Sequence, residues 1–469
     1  MGVLMFSGES LTIIADYLLF AVCLFILMGG IFISCKTRFV QLRFIPSLLK
    51  MLVVSCWHRK GEEGRHTVLP HRALLTAMST TLGISTIVAP VIAISLGGPG
   101  ALLGFLLTAF FGSAATYVEV NLSIQHRKKL ENGVIMGGPM QYLQHRLSPR
   151  VAKWYAASGF ILMAAWSSAQ ANQLAAILNS PLLESYRIPA AASGAALALL
   201  ITLALLGGIK RVSAISSKLV PLMFCLYVGS CLWIVAFNAD KLGGVLFDIF
   251  HSAFSPYALA SGTLVGGVVA SLRWGIFKGM QTCEAGVGTQ SIPHSMAATQ
   301  DPVAQGTLAM LSTYTAGAIA FLSGCVALIT QTWLDPTLPL GISMVAASFN
   351  LYFSSFGIAI VTACALLFAF GTILGNSFNG SQCFHYLTGN KKTAYYLTAT
   401  ACMIFIGCIA DAKTIWSLID IVLACVAIPH MTALILYAHK SPEAVLLGTE
   451  TLKPTDDASI ALGQASAAP

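Results

Sequence analysis

A chain of 469 residues with 56% hydrophobic and only 9% charged residues, and a mean hydropathy of +0.78, lies far from the soluble norm of about 25% charged. That composition excludes a soluble globular domain and leaves an all-α integral membrane protein embedded in a lipid bilayer. The formal charge of +8 then reads as a topology signal and not as the footprint of a nucleic-acid partner.

At about 20 residues per crossing, the apolar runs predict roughly eleven helices. The first, over 12–35, has no basic residue before it and a cluster after it: Lys36, Arg38, Arg43, Lys50, Arg59, Lys60 and Arg65. This is the reverse of the order in a cleavable leader, so it reads as a retained helix with the N-terminus outside. Residues 39–57 are apolar but interrupted by Arg43, Pro46 and Lys50, which suits a segment along the inner interface. Further spans follow at 71–96, 100–125, 152–178, 188–208 and 213–237, then at 258–291 with a break, 305–331, 343–388 with a bend, 393–411 and 414–438. Arg127, Lys128, Lys129, Arg146, Arg150, Lys210, Arg211, Lys391, Lys392 and Lys440 then share one side, against Arg187, Lys241 and Lys413 on the other. By the positive-inside rule the number of crossings is odd and the C-terminus cytoplasmic, as in a multi-pass protein of a bacterial-type inner membrane. The tail from Ser441 is rich in Ala, Ser, Thr and Asp and is expected to be disordered.

The twelve cysteines are scattered, with no CxxC pair, and read as small apolar fillers rather than ligands or disulfides. The histidines show no ligand spacing, and His430, after Pro429, reads as a hydrogen-bonded packing residue. No HExxH, GxSxG or GxxxxGK[ST] pattern occurs, so the chain is not expected to be an enzyme. Without a nucleotide-binding lysine loop, any accumulation it performs must draw on an ion gradient.

Two segments carry polar, helix-breaking chemistry inside otherwise apolar spans, one from Ser79 to Gly100 and the other from Gly275 to Pro293. Broken helices in mid-membrane persist where they line a cavity or bind something, which is how secondary transporters build a substrate site. In the first, the bland reading is a kinked helix whose Ser and Thr side chains bond back to their own backbone. The functional reading is that freed carbonyls at Ser79 and Leu82 coordinate a small cation, while amides from Gly83 to Thr86 face an anionic ligand group. The five-crossing separation of the two segments gives them opposite orientation, as an inverted repeat requires. Gly100 and Gly104 form a GxxxG that suits close helix packing. Glu284 has three readings: a structural carboxylate holding stranded amides, a proton-coupled group, or a direct substrate contact. Glu119, Arg273, Lys278 and Asp420 are the other charges within spans and are expected to be paired or near an interface.

Gly97-Gly98-Pro99-Gly100, Gly137-Gly138-Pro139-Met140-Gln141-Tyr142, Gln170-Ala171-Asn172, Glu284-Ala285-Gly286-x-Gly288, Asp301-Pro302-Val303-x-Gln305-Gly306 and Phe368-Ala369-Phe370-x-Thr372 occur in this order. Together they resemble the alanine or glycine:cation symporter family from about residue 70 to 438. The resemblance implies a LeuT-like fold within one transport domain (1–438): a leading helix (12–35), a first repeat (66–238) and an inverted second repeat (255–438), before a cytoplasmic tail (439–469). It also implies sodium-coupled or proton-coupled symport of a small neutral amino acid by alternating access, with no cofactor, in a chain expected to work as a monomer. The site residues it implies are Gly83, Ser85, Thr86, Gln170, Gln281, Thr282 and Asn376 for substrate, and Ser79, Leu82, Phe368 and Thr372 for sodium. The competing class is a passive channel or facilitator, which would call for an oligomeric filter or charged ring.

Several departures from the family pattern fall where substrate and ion would sit. Gln281 stands where the family has Phe, and Asn376 where it has Trp, which predicts a larger and more polar pocket. Gly371 stands where it has Ser, which removes a hydroxyl from the implied sodium site and predicts weaker sodium dependence.

Overall fold

The computed structural model describes residues 8–48, 67–129, 135–180, 187–254, 268–389 and 393–441. It is almost wholly helical: α1 (Gly8–Lys36), α2 (Val40–Arg43), α3 (Pro70–Thr81), α4 (Ile84–Gly97), α5 (Ala101–His126), α6 (Pro139–Arg146), α7 (Pro149–Leu178), α8 (Ala190–Leu205), α9 (Gly208–Phe237), α10 (Ala239–Phe254), α11 (Val268–Cys283), α12 (Ser291–Ser295), α13 (Pro302–Thr330), α14 (Ile342–Phe353), α15 (Ser355–Thr388), α16 (Thr393–Ile409) and α17 (Ala412–Lys440). A two-residue hairpin, β1 (Lys128–Lys129) with β2 (Ile135–Met136), is antiparallel.

Helix starts follow local chemistry. Ser148 accepts from the Val151 amide at 3.2 Å ahead of Pro149, and Asp301 accepts from Val303 and Ala304 at 3.0 and 2.9 Å ahead of Pro302. Asp411 likewise accepts from Thr414 at 2.9 Å. Each cap satisfies amides that the first helical turn leaves without a partner, and proline costs nothing at a position whose N–H is unused.

Among the described residues, α5, α9, α13, α15 and α17 are long and apolar enough to cross a membrane alone, and α3 with α4 makes a sixth span bent by 42°. The eleven expected spans are therefore not of one kind. α8 and α16 are apolar but only 16 and 17 residues long, while α7 has the length at 30 residues but carries Ser167, Ser168, Gln170, Asn172 and Gln173. The bend expected within 343–388 is a break at Ser354, φ 49°, that separates α14 from α15. Two short helices were not anticipated. One is α6; the other is α10, whose Val245, Ile249 and Ala253 are buried while Phe247, Phe250 and Phe254 are exposed, a spacing of four that makes one face apolar against the bundle. Of the segment 39–57, α2 and residues up to Leu48 are described, and the rest lies outside the described residues, as does the tail beyond Ser441.

The bundle packs α5 against α13, α7 against α15 and α8 against α16, with α11 on α4 and α5 and the leading helix α1 along α17. Where α5 meets α11 the backbones nearly touch. A Cβ added to Gly275 would lie 1.9 Å from the Ala101 carbonyl oxygen, and one added to Gly104 would lie 2.8 Å from that of Leu272. The Gly100–Gly104 pair thus serves helix packing, as small residues do where no side chain fits.

Candidate functional site

Both broken helices come together at the centre of the bundle. α3 ends at Thr81, the chain is extended through Leu82 and Gly83, and α4 restarts at Ile84. The break is held by side chains from other helices. Gln170 on α7 accepts from the Ile84 amide at 2.9 Å and donates toward the Ser85 hydroxyl at 3.4 Å, and Thr372 on α15 donates to the Leu82 carbonyl at 3.0 Å. The Thr86 hydroxyl spans the gap itself, donating to the Thr81 carbonyl at 2.9 Å and accepting from the Gly83 amide at 3.2 Å. Gly83 leaves the space in which Gln170 and Thr372 converge, since a Cβ there would lie 2.9 Å from Thr372 Oγ1 and 3.0 Å from Gln170 Nε2.

In the second broken helix, α11 ends at Cys283 and α12 begins at Ser291, with Glu284, Gly286 and Gly288 all at positive φ. An unwound stretch in a bilayer must find partners for its freed groups, and four of its carbonyls are met by side chains as follows. Gln290 donates to the Cys283 carbonyl (3.0 Å), His430 Nδ1 to Gly286 (2.7 Å), Tyr155 to Val287 (2.7 Å) and Asn379 to Thr289 (3.2 Å). Gly288 admits this arrangement, as a Cβ would lie 2.8 Å from both His430 Nε2 and the Tyr155 hydroxyl. The Glu284 carboxylate, buried, accepts from the Thr289 hydroxyl and, at 3.5 Å, from Thr80 on α3. It therefore ties α3, the first half of the first broken helix, to the unwound stretch of the second. His430 also pairs with the Tyr142 hydroxyl at 2.6 Å, and Glu119 Oε2 lies 3.9 Å from its Nε2.

Above the break lies a cavity of about 480 Å³. α4 lines it with Ser85, Val88, Ala89, Ile92 and Leu96, α7 with Gln170 and Gln173, α11 with Trp274, Phe277, Lys278 and Gln281, and α17 with Ala412, Trp416, Ser417 and Asp420, with Leu340 from the loop before α14. On each helix these residues recur at intervals of three and four, one face of a turn. Its floor is polar: Gln281 donates to Asp420 at 2.7 Å, and Lys278 donates to Gln281 at 3.3 Å while its ammonium sits 4.6 and 5.2 Å from the ring centroids of Phe277 and Trp416. Arg273 stacks instead on Phe20 and Trp274, at 5.3 and 5.6 Å.

Of the substrate residues expected from sequence, Ser85, Gln170 and Gln281 line this cavity and Gly83 lies beneath Gln170. Thr86 braces the break, and Thr282 donates back to the Lys278 carbonyl at 2.7 Å; neither lines the cavity. Asn376 is buried on α15, and both of its side-chain polar atoms lack a protein partner. Of the four expected ion ligands, Thr372 meets the Leu82 carbonyl where α15 packs on α3, and Phe368 lies one turn earlier on α15. Ser79 is adjacent: the position a Cβ on Gly371 would take lies 3.9 Å from its carbonyl oxygen. That same position lies 2.5 Å from Leu219 Cδ2, so a methyl of α9 crowds the space a side chain at 371 would enter. Sequence reasoning singled out neither the aromatic wall of Trp274, Phe277 and Trp416 nor the donors Gln290, Asn379 and Tyr155. Aromatic residues in an apolar helix carry no signal separating lining from packing.

Residues 6–446 match the model of the sodium:alanine symporter family. The chain belongs to that family. It is thus a transporter and not an enzyme, in a family of sodium-coupled amino-acid carriers. A transporter of Haemophilus influenzae is 32% identical over 91% of this chain and 93% of its own length. The sodium/alanine symporter AgcS of Methanococcus maripaludis is 31% identical over 88% of this chain and 91% of its own, and a Bacillus subtilis protein named probable sodium/glutamine symporter GlnT is 27% identical over 91% and 88%. Among solved structures, a Na+-coupled sialic acid symporter in a substrate-bound, outward-open state aligns with a TM-score of 0.51 at 16% identity, covering 92% of this chain and 86% of that one. At that identity the likeness is one of fold.

Proposed function

We propose that this chain is a sodium-coupled symporter of a small neutral amino acid with a polar side chain, working by alternating access in a membrane where its C-terminus is cytoplasmic. The observation that carries the reading is the polar floor formed where the two broken helices meet beneath the cavity. The N-terminal end of α4 presents its positive end there, suited to an α-carboxylate. The C-terminal end of α11 presents carbonyls of opposite polarity, suited to an α-ammonium.

The side-chain preference follows from Gln281 and its partners. A pocket whose amides and charges are already exacting about hydrogen bonds penalises a ligand that leaves them unpaired, so an alanine methyl is a poorer match than a hydroxyl or carboxamide. The relatives' names, from alanine to glutamine, span that range. Sodium is read as co-substrate at the α3–α15 contact. The Ser79, Leu82 and Phe368 carbonyls with Thr372 make four oxygens, short of the six or more a hard cation such as calcium gathers. The Leu219 methyl closes the place of a further hydroxyl, which supports a weakened sodium site.

The pairing of α5 with α13, α7 with α15 and α8 with α16 supports two five-helix repeats following the leading helix, since each pair joins equivalent members. A passive channel fits less well, because the Gln170, Thr372 and Glu284 contacts close the path at the break. Counterflow into proteoliposomes with a panel of amino acids, with and without sodium at two pH values, tests the reading. Exchange of serine or glutamine that needs sodium at both pH values is expected. Exchange driven equally well by a pH gradient without sodium would move the coupling to protons, and sodium-indifferent equilibration would make the chain a facilitator.

A further inference from the structure

Arg127, the residue that follows α5, reaches across to the segment that follows α12. Its guanidinium donates to the carbonyls of Ser295 at 2.9 Å, Ala297 at 2.7 Å and Thr299. On its other side the same segment pairs with the residues before α3. The Val68 amide donates to the Met296 carbonyl at 3.0 Å and the Ala298 amide to the Val68 carbonyl at 2.8 Å, which makes a parallel bridge. The alternation is that of an extended chain, whose successive peptide groups face opposite ways, so residues 295–299 form a ribbon between Val68 and Arg127. One turn earlier on α5, Ser123 joins the same contact, donating to the Ser291 carbonyl at 2.9 Å and accepting from the Gly138 amide at 2.9 Å.

This joint lies at the end of the bundle opposite the cavity. It brings the start of α3, the first half of the first broken helix, against the end of α12, the second half of the second. Those are the two pieces that have to part for a substrate held at the breaks to leave on that side. Two features suit a contact that is made and broken in each cycle. Ala297 is buried while Ala298 is exposed, so the joint lies at the edge of the packed interior, where water can replace each bond as it opens. Its strength is also concentrated in one side chain, because a guanidinium fork reaches several carbonyls at once through charge-assisted bonds, where an ammonium acts as a single point. We propose that Arg127 is the positioning residue that latches the gate on the basic-loop side, holding α3 and α12 together while the cavity is open at the other end and releasing them in the opposite-facing state. The inference rests on the alternating access proposed above, and the competing role is a permanent brace.

The test uses the full chain in membranes, its native cysteines replaced, with one of two single reporters: Ser417→Cys in the cavity or Ala297→Cys at a buried methyl of the joint. Arg127→Gln should slow thiol labelling at 417 from the cavity side and hasten it at 297 from the basic-loop side. The ratio of the two rates should change by about tenfold, the weight of one hydrogen bond to a charged group, with Arg127→Lys in between. Opposite changes at the two positions identify a latch. A brace would raise labelling at both positions or at neither, and either result overturns the proposal. So does an Arg127→Lys chain that labels like its parent, which carries the test should Arg127→Gln fail to fold. Counterflow by the wild-type chain separates this inference from the reading beneath it: no exchange of any amino acid would remove alternating access and the latch with it, whereas exchange with unshifted labelling in the Arg127 variants would remove the latch alone.

Discussion

Gly371 shows how a single missing side chain is read through its neighbour. A serine there would place a hydroxyl beside the Ser79 carbonyl, but Leu219 Cδ2 stands 2.5 Å from the Cβ position. Gly371→Ser alone is therefore expected to be strained, and Gly371→Ser with Leu219→Ala to lower the sodium half-saturation. One restored ligand, valued like a hydrogen bond at about 1 to 2 kcal/mol, corresponds to about five- to thirtyfold. An unchanged sodium curve in the double variant, with transport intact, would remove this contact from the ion site. Gln170→Leu should act differently, leaving the Ile84 amide buried without its acceptor at a cost of about 1 to 3 kcal/mol, visible as a lower unfolding temperature together with lost uptake. Glu284→Gln preserves an acceptor for Thr289 and Thr80 while deleting a charge. Sodium-driven exchange is expected to persist in that variant, and its complete loss alongside an unchanged unfolding temperature would point to proton coupling. These residues were legible in the sequence because polar groups are rare in bilayer spans. Their division of labour was not: Thr86 and Ser85 are neighbours of like chemistry, and only the direction of the helix start sends one hydroxyl across the break and the other into the cavity.

At the scale of elements, the unwound stretch between α11 and α12 depends on donors from α7, α15 and α17. Tyr155→Phe removes one of them and strands the Val287 carbonyl in a water-poor interior, where an unmet acceptor costs about 1 to 3 kcal/mol. The expected outcome is a lower unfolding temperature with the substrate ranking preserved, because Tyr155 lines no part of the cavity. A changed ranking at unchanged stability would mean that the stretch is positioned some other way. Both breaks were visible beforehand as Gly, Pro and hydroxyl clusters in apolar runs, and α5, α9 and α13 follow from length and hydropathy alone. α6 and α10 did not stand out, since amphipathic helices of 8 and 16 residues have neither the length nor the uniform apolarity of a crossing. The bend expected within 343–388 gained its position only from the structure, at Ser354, three residues before Gly357, where a Cβ would lie 2.6 Å from the Asn350 amide nitrogen.

Across the whole molecule, the cavity and the charge asymmetry make one joint statement about orientation. The cavity opens at the end of α4 and the start of α17, the side on which α9 gives way to α10 at Asp240. The basic residues Arg127, Arg146, Lys210 and Lys440 lie at the other ends of their helices. If the basic side is cytoplasmic, the structure is open to the outside, and sodium binding at the proposed site ahead of substrate would favour this state. Ser417→Cys, on a background with the native cysteines replaced because Cys35, Cys225 and Cys402 are exposed, reports on it directly. A membrane-impermeant thiol reagent added to intact cells should label position 417, faster in sodium than in potassium and more slowly once substrate occupies the cavity, while a reporter fused after Lys440 reads cytoplasmic. Labelling confined to inverted vesicles, or a Lys440 reporter on the outside, would reverse the orientation and with it the direction from which the candidate substrate enters.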